Sequence, residues 1–212
     1  CIFFLAIIFS SFFIQAQIVG NCNTSYDSPE ELVELLVGEG VEFSNVTFSG
    51  FECSAGFFEG TNNIGFESGL VMSTGGLGSI TPGGFGAASG GAGADVDLAK
   101  QLEMIGATVT NLNNLIVLEF DFVPLSDVVT FEYVFASNEY PGFTCSQYND
   151  IFGFFLSGPG ITGPFTNNAT NIALVPDPDD PANYTETPVI INTINSGSPS
   201  GFDPSLCNNI DP

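Results

Sequence analysis

The clearest regularity in the chain is a two-residue alternation. In Leu115–Val123, Leu118, Phe120 and Phe122 alternate with Glu119 and Asp121. In Val128–Ala136, Phe131, Tyr133 and Phe135 alternate with Thr130, Glu132 and Val134. Successive side chains of a strand point to opposite faces, so this pattern predicts two half-buried antiparallel strands. The turn residues Pro124-Leu125-Ser126-Asp127 would join them. β-type runs at Val41–Phe48, Ile64–Ser73, Asn171–Val175 and Val189–Ile194, with the wholly apolar Ile151–Ser157, bring the expected set to about eight strands.

Helical spacing occurs twice. Leu32, Leu35 and Leu36 form a stripe behind Ser28-Pro29-Glu30-Glu31. There Ser28 suits the cap, Pro29 the first helical position, and Glu31 completes a capping box. Gly38 and Gly40 end that helix. A second is predicted over Asp95–Ile105, with Asp95 as cap and Leu98, Leu102 and Ile105 facing inward. Gly158-Pro159-Gly160 and Asp177–Pro181 read as turns. Thr74–Ala94 is rich in Gly, Ser and Ala, but no Gly-Lys-Ser/Thr follows, so it reads as a surface loop rather than a phosphate cradle. The pattern predicts a mainly β chain, an antiparallel, jelly-roll-like β-sandwich with two short helices. One domain is expected over residues 17–212.

Residues 1–16, CIFFLAIIFSSFFIQA, carry an apolar run too short to span a bilayer, followed by the small residue Ala16. This reads as a secretory signal peptide with Gln17 as the mature start. Without an initiator Met or a basic leader, the expectation is a fragment missing its first residues and truncated at Pro212. Export makes the remaining cysteines, Cys22, Cys53, Cys145 and Cys207, candidates for two disulfides. Three connectivities are possible; Cys22–Cys53 and Cys145–Cys207 are the shorter closures.

Composition then removes most chemistry. The chain has 24 acidic side chains against one basic one (Lys100), a formal charge of −23, and neither His nor Trp. Imidazole-based triads and zinc sites are impossible, and without Arg so is bidentate clamping of phosphate. A chain without a cationic groove is a poor partner for nucleic acid or anionic membrane surfaces. Yet 44% of the residues are apolar, with 22 Phe in the chain, which is incompatible with acidic disorder.

A series of segments in fixed order carries a family likeness. It begins with Asn63-Ile64-Gly65-Phe66 and Gly69-Leu70-Val71-Met72-Ser73-Thr74-Gly75. Leu118-Glu119-Phe120-Asp121-Phe122-Val123-Pro124 and Tyr133-Val134-Phe135-Ala136-Ser137-Asn138-Glu139-Tyr140-Pro141 follow. The segment from Asn149-Asp150-Ile151 to Gly158-Pro159-Gly160, then Asn171-Ile172-Ala173-Leu174-Val175-Pro176 and Ile191-Asn192-Thr193-Ile194-Asn195, complete it. Over residues 28–196 the chain resembles the choice-of-anchor L domain of exported bacterial proteins, especially of the Bacteroidetes. The resemblance implies a non-catalytic module near the N-terminus of a longer surface protein, often one with a type IX secretion signal. It carries over no catalytic residues. The family's Ser-Glu-Glu-Tyr word here has Asn138 in place of its first acid.

Acids near strand ends remain as candidate ligands. Asp95 and Asp97 stand at the foot of the Gly-rich loop, and Glu139 and Asp150 flank the loop Tyr140–Asn149. Hard oxygen donors from loops suit Ca²⁺, so a Ca²⁺ site between these two segments is the expected cofactor chemistry. Asp177, Asp179 and Asp180 are weaker candidates. A carbohydrate-active hydrolase could draw on Glu119, Asp121, Glu132 and Glu139, but alternation turns the first three outward. The sequence therefore predicts a secreted, cell-surface module acting in adhesion or surface interaction, with a glycan or protein ligand met by the loops. A passive spacer is the alternative.

Overall fold

The computed structural model describes residues 17–19, 28–51, 53–59, 65–80, 93, 95–107, 112–146, 148–177, 179–180, 183–195, 197 and 203–206. The signal-peptide segment 1–16, Cys22, Cys207 and most of the Gly-rich loop (81–92 and 94) lie outside the described residues. The chain divides into two compact units, Cys1–Ala92 with Asn113–Thr130, and Gly93–Leu112 with Phe131–Pro212.

In the first unit, β1 (Gln17–Val19), β3 (Ala55–Glu59) and β4 (Ser68–Met72) form an antiparallel sheet with β3 central. Phe58 faces Ile18 on one side and Gly69 on the other. Strands β2 (Glu42–Ser49) and β5 (Val117–Val123) pair antiparallel, Phe43 opposite Phe122 and Phe48 opposite Leu118. The register shifts between Ser44 and Thr47, where Asn45 adopts φ 54°. The acids of β5 point outward as their alternation predicts. Asp121 accepts from Asn45 Nδ2 at 2.6 Å and Glu119 from Thr47 Oγ1 at 3.4 Å.

Helix α1 (Pro29–Val37) begins with Pro at its first position and packs on β2, β3 and β4. Its buried side chains are Leu32 and Val33, whereas Leu35 is 50% exposed. The expected Leu32/Leu35/Leu36 stripe is thus rotated by part of a turn. Ser28 makes no side-chain cap bond. Its hydroxyl instead bonds the Glu30 carboxylate, which lowers that group's pKa. Where the chain enters β3 and leaves β4, Leu77 N donates to Cys53 O (2.8 Å) and Ser73 N to Ser54 O (2.7 Å), and Leu77 and Ser54 are buried. The Gly-rich loop thus opens on a structured 3₁₀ turn, Leu77–Ile80.

The second unit holds helix α2 (Val96–Met104) and the short pairs β6 (Phe155–Leu156) with β7 (Thr170–Asn171) and β8 (Leu174–Pro176) with β9 (Tyr184–Pro188). Asp95 caps α2, accepting from Asp97 N and Leu98 N at 3.0 and 2.8 Å, as its side chain and position predict. Gly163 is required where it stands: a Cβ there would lie 2.0 Å from the Ala169 carbonyl oxygen.

Mainly antiparallel β-structure with two short helices is what the alternation predicts, and the described residues carry it. Three strand assignments are corrected. Val128–Ala136 has no backbone ladder; its alternation is used in side-chain packing, Phe131 on Phe154 and Tyr133 on Phe152, with ring centroids 4.6 and 5.1 Å apart. Ile151–Ser157 is extended but paired as a strand only at Phe155–Leu156, with a single bridge from Ile151 to Ile190. Val189–Ile194 is a buried turn, and the strand preceding it is Tyr184–Pro188. The short strands β1 and β3 have no counterpart in the expected set; Gly56 and the Gly-flanked setting of β3 mask its pattern.

The two leucines of α1 separate the packing from the sequence pattern. Leu32→Ala is expected to cost about 2–5 kcal/mol, the range for truncating a fully buried leucine, and Leu35→Ala within about 0.5 kcal/mol of zero. Denaturant unfolding of the two variants measures this; equal losses would refute the observed helix face.

Candidate functional site

The loop 140–149 is held to the turn 190–195 by side-chain hydrogen bonds. Its centre is buried although its sequence is polar: Thr144, Cys145 and Ser146 are almost completely inaccessible. Buried amides and hydroxyls must find partners, and here the turn 190–195 supplies them. Asn192 Oδ1 accepts from Cys145 N (2.8 Å), and its Nδ2 donates to Ser146 O (3.2 Å). Its backbone N–H donates to Asn149 Oδ1 (3.2 Å). Thr144 Oγ1 bonds Pro141 O and Gly197 O (3.0 and 3.2 Å), and the Tyr140 hydroxyl donates to Ile194 O. Within the turn, Thr193 Oγ1 accepts from Ile190 N and lies 2.7 Å from Pro188 O, while Asn195 Nδ2 donates to Ile191 O. The loop and the turn are a single hydrogen-bonded knot.

The feet of the loop are acidic. Ser137 Oγ donates to Asp150 Oδ2 (2.8 Å) and accepts from Glu139 N (3.1 Å), drawing Glu139 and Asp150 together. Glu139 Oε2 is buried without a hydrogen-bond partner. Desolvation, and then the Asp150 carboxylate, push the Glu139 pKa above its ordinary value. The same two causes raise the Tyr140 phenol.

The other candidate acids are committed elsewhere. Asp95 caps α2. Asp97 Oδ1 accepts from both the backbone N–H and the hydroxyl of Thr166, each at 2.9 Å. The β8–β9 turn uses Asp177 as acceptor for Asp179 N and Asp180 as acceptor for Asn183 Nδ2. Among the described residues no three or more His, Cys, Asp or Glu side chains gather to hold a metal ion. Glu139 and Asp150 are brought together, but Asp95 and Asp97 do not join them in such a group. Lys100 Nζ donates to the Pro164 carbonyl.

The residues that build this site are not the ones the sequence singles out. Asn171 bonds Phe154 N and Ala173 N through Oδ1 and Gln101 Oε1 through Nδ2, tying α2 to two extended segments. Asn192 does the equivalent for the loop. The available signal is an amide inside an apolar run, Ile190-Ile191-Asn192-Thr193-Ile194, where a polar residue must be either outward or satisfied within. Phe143 and Tyr148 carry no sequence signal of their own. They project from the knot, 47% and 54% exposed, in an edge-on contact with centroids 5.8 Å apart.

The Glu139 environment sets a pH dependence. Its native pKa is raised above the ordinary 4.5, so the fold prefers the protonated acid. That contribution is complete below the ordinary value and is lost as pH rises through the native one. Glu139→Gln is expected to melt higher than the parent at neutral pH, with the gap shrinking on acidification. General charge repulsion affects both proteins, so the difference isolates Glu139. Parallel melting curves across that range would contradict the assignment.

No curated protein and no solved structure shows significant similarity to the chain. Among the described residues no helix is long and apolar enough to cross a membrane. The choice-of-anchor L domain profile matches residues 21–212, nearly the whole length. The ordered segments that carry the likeness lie within that span, and two of them, around Asn171 and Asn192, supply the buried asparagines among the described residues of the second unit. The chain belongs to the choice-of-anchor L domain family and is, with it, an extracellular, surface-associated module.

Proposed function

We propose that the chain is a non-catalytic interaction module of a bacterial surface protein, acting in adhesion or cell-surface contact. The observation that supports this best is the loop 140–149: its backbone is knotted to the turn 190–195 while Phe143 and Tyr148 stay exposed. Recognition residues are characteristically carried on loops held by a rigid scaffold. A passive spacer has no use for two solvent-facing aromatic rings on an immobilised loop. The residue inventory argues against the hydrolase reading. Glu119 and Asp121 are exposed and hydrogen-bonded across β2–β5, and Glu132 is exposed as well. Of the four acids of that reading only Glu139 is half-buried, and it shares the feet of its loop with Asp150.

Two disulfides, Cys22–Cys53 and Cys145–Cys207, belong to the same reading. Its support is that an exported chain keeps four cysteines and that these two pairs are the shorter closures along it. A bond at Cys145 would brace the knot from a second direction by limiting the unfolded chain. Peptide mapping of the exported protein without reduction should recover both linked pairs; four alkylatable thiols would overturn the claim.

Adhesion is tested by competition. Added purified chain is expected to inhibit attachment of cells displaying the parent surface protein in a dose-dependent manner, while heat-unfolded chain does not. Attachment indifferent to saturating folded chain would leave the spacer reading in its place.

A further inference from the structure

The segment 131–136 has the register of a strand without its hydrogen bonds. Its ring contacts, Phe131 on Phe154 and Tyr133 on Phe152, step in opposite directions along the two segments, as antiparallel neighbours do. Just past its end, Ser137 Oγ donates to Asp150 Oδ2 at 2.8 Å and continues the same order. Yet among the described residues 132–136 make no backbone hydrogen bond. An extended segment fixed at both ends normally satisfies its N–H and C=O groups in a ladder.

The facing segment holds a matching set of groups. Phe152 N donates to Val189 O (3.1 Å), Ile191 N to Asp150 O (3.2 Å) and Ile172 N to Phe154 O (2.8 Å). Residues 150, 152 and 154 thus direct their backbone groups to one edge. Such groups alternate between edges along a strand, so those of Ile151 and Gly153 point to the other. There no backbone partner meets them among the described residues. In the register of the rings, Gly153 stands opposite Glu132 and Ile151 opposite Val134. These are the positions of hydrogen-bonded pairs. Phe131/Phe154 and Tyr133/Phe152 then hold the alternate positions, where side chains approach more closely, in keeping with ring separations of 4.6 and 5.1 Å.

Like charge opposes closure at one end of this register. Ser137 Oγ accepts from Glu139 N while it donates to Asp150, so the two acids meet where the segments converge. Glu139 Oε2 is buried without a hydrogen-bond partner. As a carboxylate it repels Asp150; as an acid it has a proton to donate. Desolvation and the Asp150 charge both favour its neutral form. Nothing nearby offsets the repulsion. The turn 190–195 carries no ionisable side chain, the Tyr140 phenol is itself held neutral by burial and Asp150, and Lys100 is engaged at Pro164.

We propose that 131–136 is a strap that closes onto 151–154 as a regular antiparallel strand when Glu139 is neutral, and that repulsion between ionised Glu139 and Asp150 holds it off. Closure adds hydrogen bonds at Glu132, Val134, Ile151 and Gly153 and stiffens the approach to the loop 140–149. The strap therefore closes as pH falls.

Amide exchange read residue by residue tests this on three samples: the chain at neutral pH, the chain acidified below the ordinary Glu value of 4.5, and E139Q at neutral pH. Each rate is taken relative to that of an unfolded chain at the same pH. In E139Q and in acid, the amides of Glu132, Val134, Ile151 and Gly153 are expected to exchange about tenfold more slowly than in the chain at neutral pH. Tyr133 and Phe135, whose N–H groups point away from the facing segment, are expected to stay unchanged. That two-residue alternation is a signature that general stabilisation does not produce. Equal slowing of all six amides would overturn the strap. So would protection of the four already complete at neutral pH, or absent from every sample. Alternation in acid but not in E139Q would assign the trigger to another acid and reject the role of Glu139. If E139Q does not fold, the acidified chain decides by the same alternation.

Discussion

Everything distinctive in the second unit depends on one requirement: polar side chains that are buried must be hydrogen-bonded where they lie. Asn171, Asn192, Asn195, Thr144 and Thr193 are all buried. The strands there are two to five residues long, too short for ladders to organise the chain. Amide and hydroxyl side chains take over that task. Asn171 stands in for a ladder partner at Phe154 and Ala173, and Asn192 fastens Cys145 from 47 residues away in sequence. The apolar side chains Val175, Val189, Ile190 and Ile191 fill the space around this lattice. Each amide lost would leave several backbone groups unsatisfied at once, a cost larger than that of one missing contact.

The same requirement shapes the chemistry of the loop. Because its polar groups are consumed in holding it to the turn, few remain to act on a substrate. What faces solvent is aromatic surface, with carboxylates at the base. Such a surface can attract and hold a partner. The structural commitment of its polar groups supports the proposed reading as a binding module.

How much of this is legible in the sequence differs by element. The strand Val117–Val123 and the Asp95 cap are legible because each obeys a local rule with a local cause. The alternation in Val128–Ala136 is equally clear, yet it describes side-chain packing on Phe152 and Phe154 rather than backbone pairing. Periodicity reports which face is covered and is silent on what covers it. The α1 stripe fails for a related reason: Leu35 and Val33 both lie near an apolar arc, and only the neighbouring strands decide which is enclosed. For the site, the acids Glu139 and Asp150 are visible as a pair flanking a loop, whereas Asn192 is hidden inside a run that reads as strand. A buried amide cannot be recognised until its partners, distant in sequence, are known.

The lone lysine also governs how the chain meets proteases. Trypsin-like enzymes cut after Lys or Arg and need a stretch of extended backbone in their cleft, so this chain presents them with one cleavable bond, Lys100–Gln101. That bond sits in the middle of α2, with Gln101 and Leu102 buried and the lysine head tied to Pro164. Cutting it requires α2 to unwind first. The chain is thereby shielded from trypsin-like enzymes by composition, with its single target bond held in a helix.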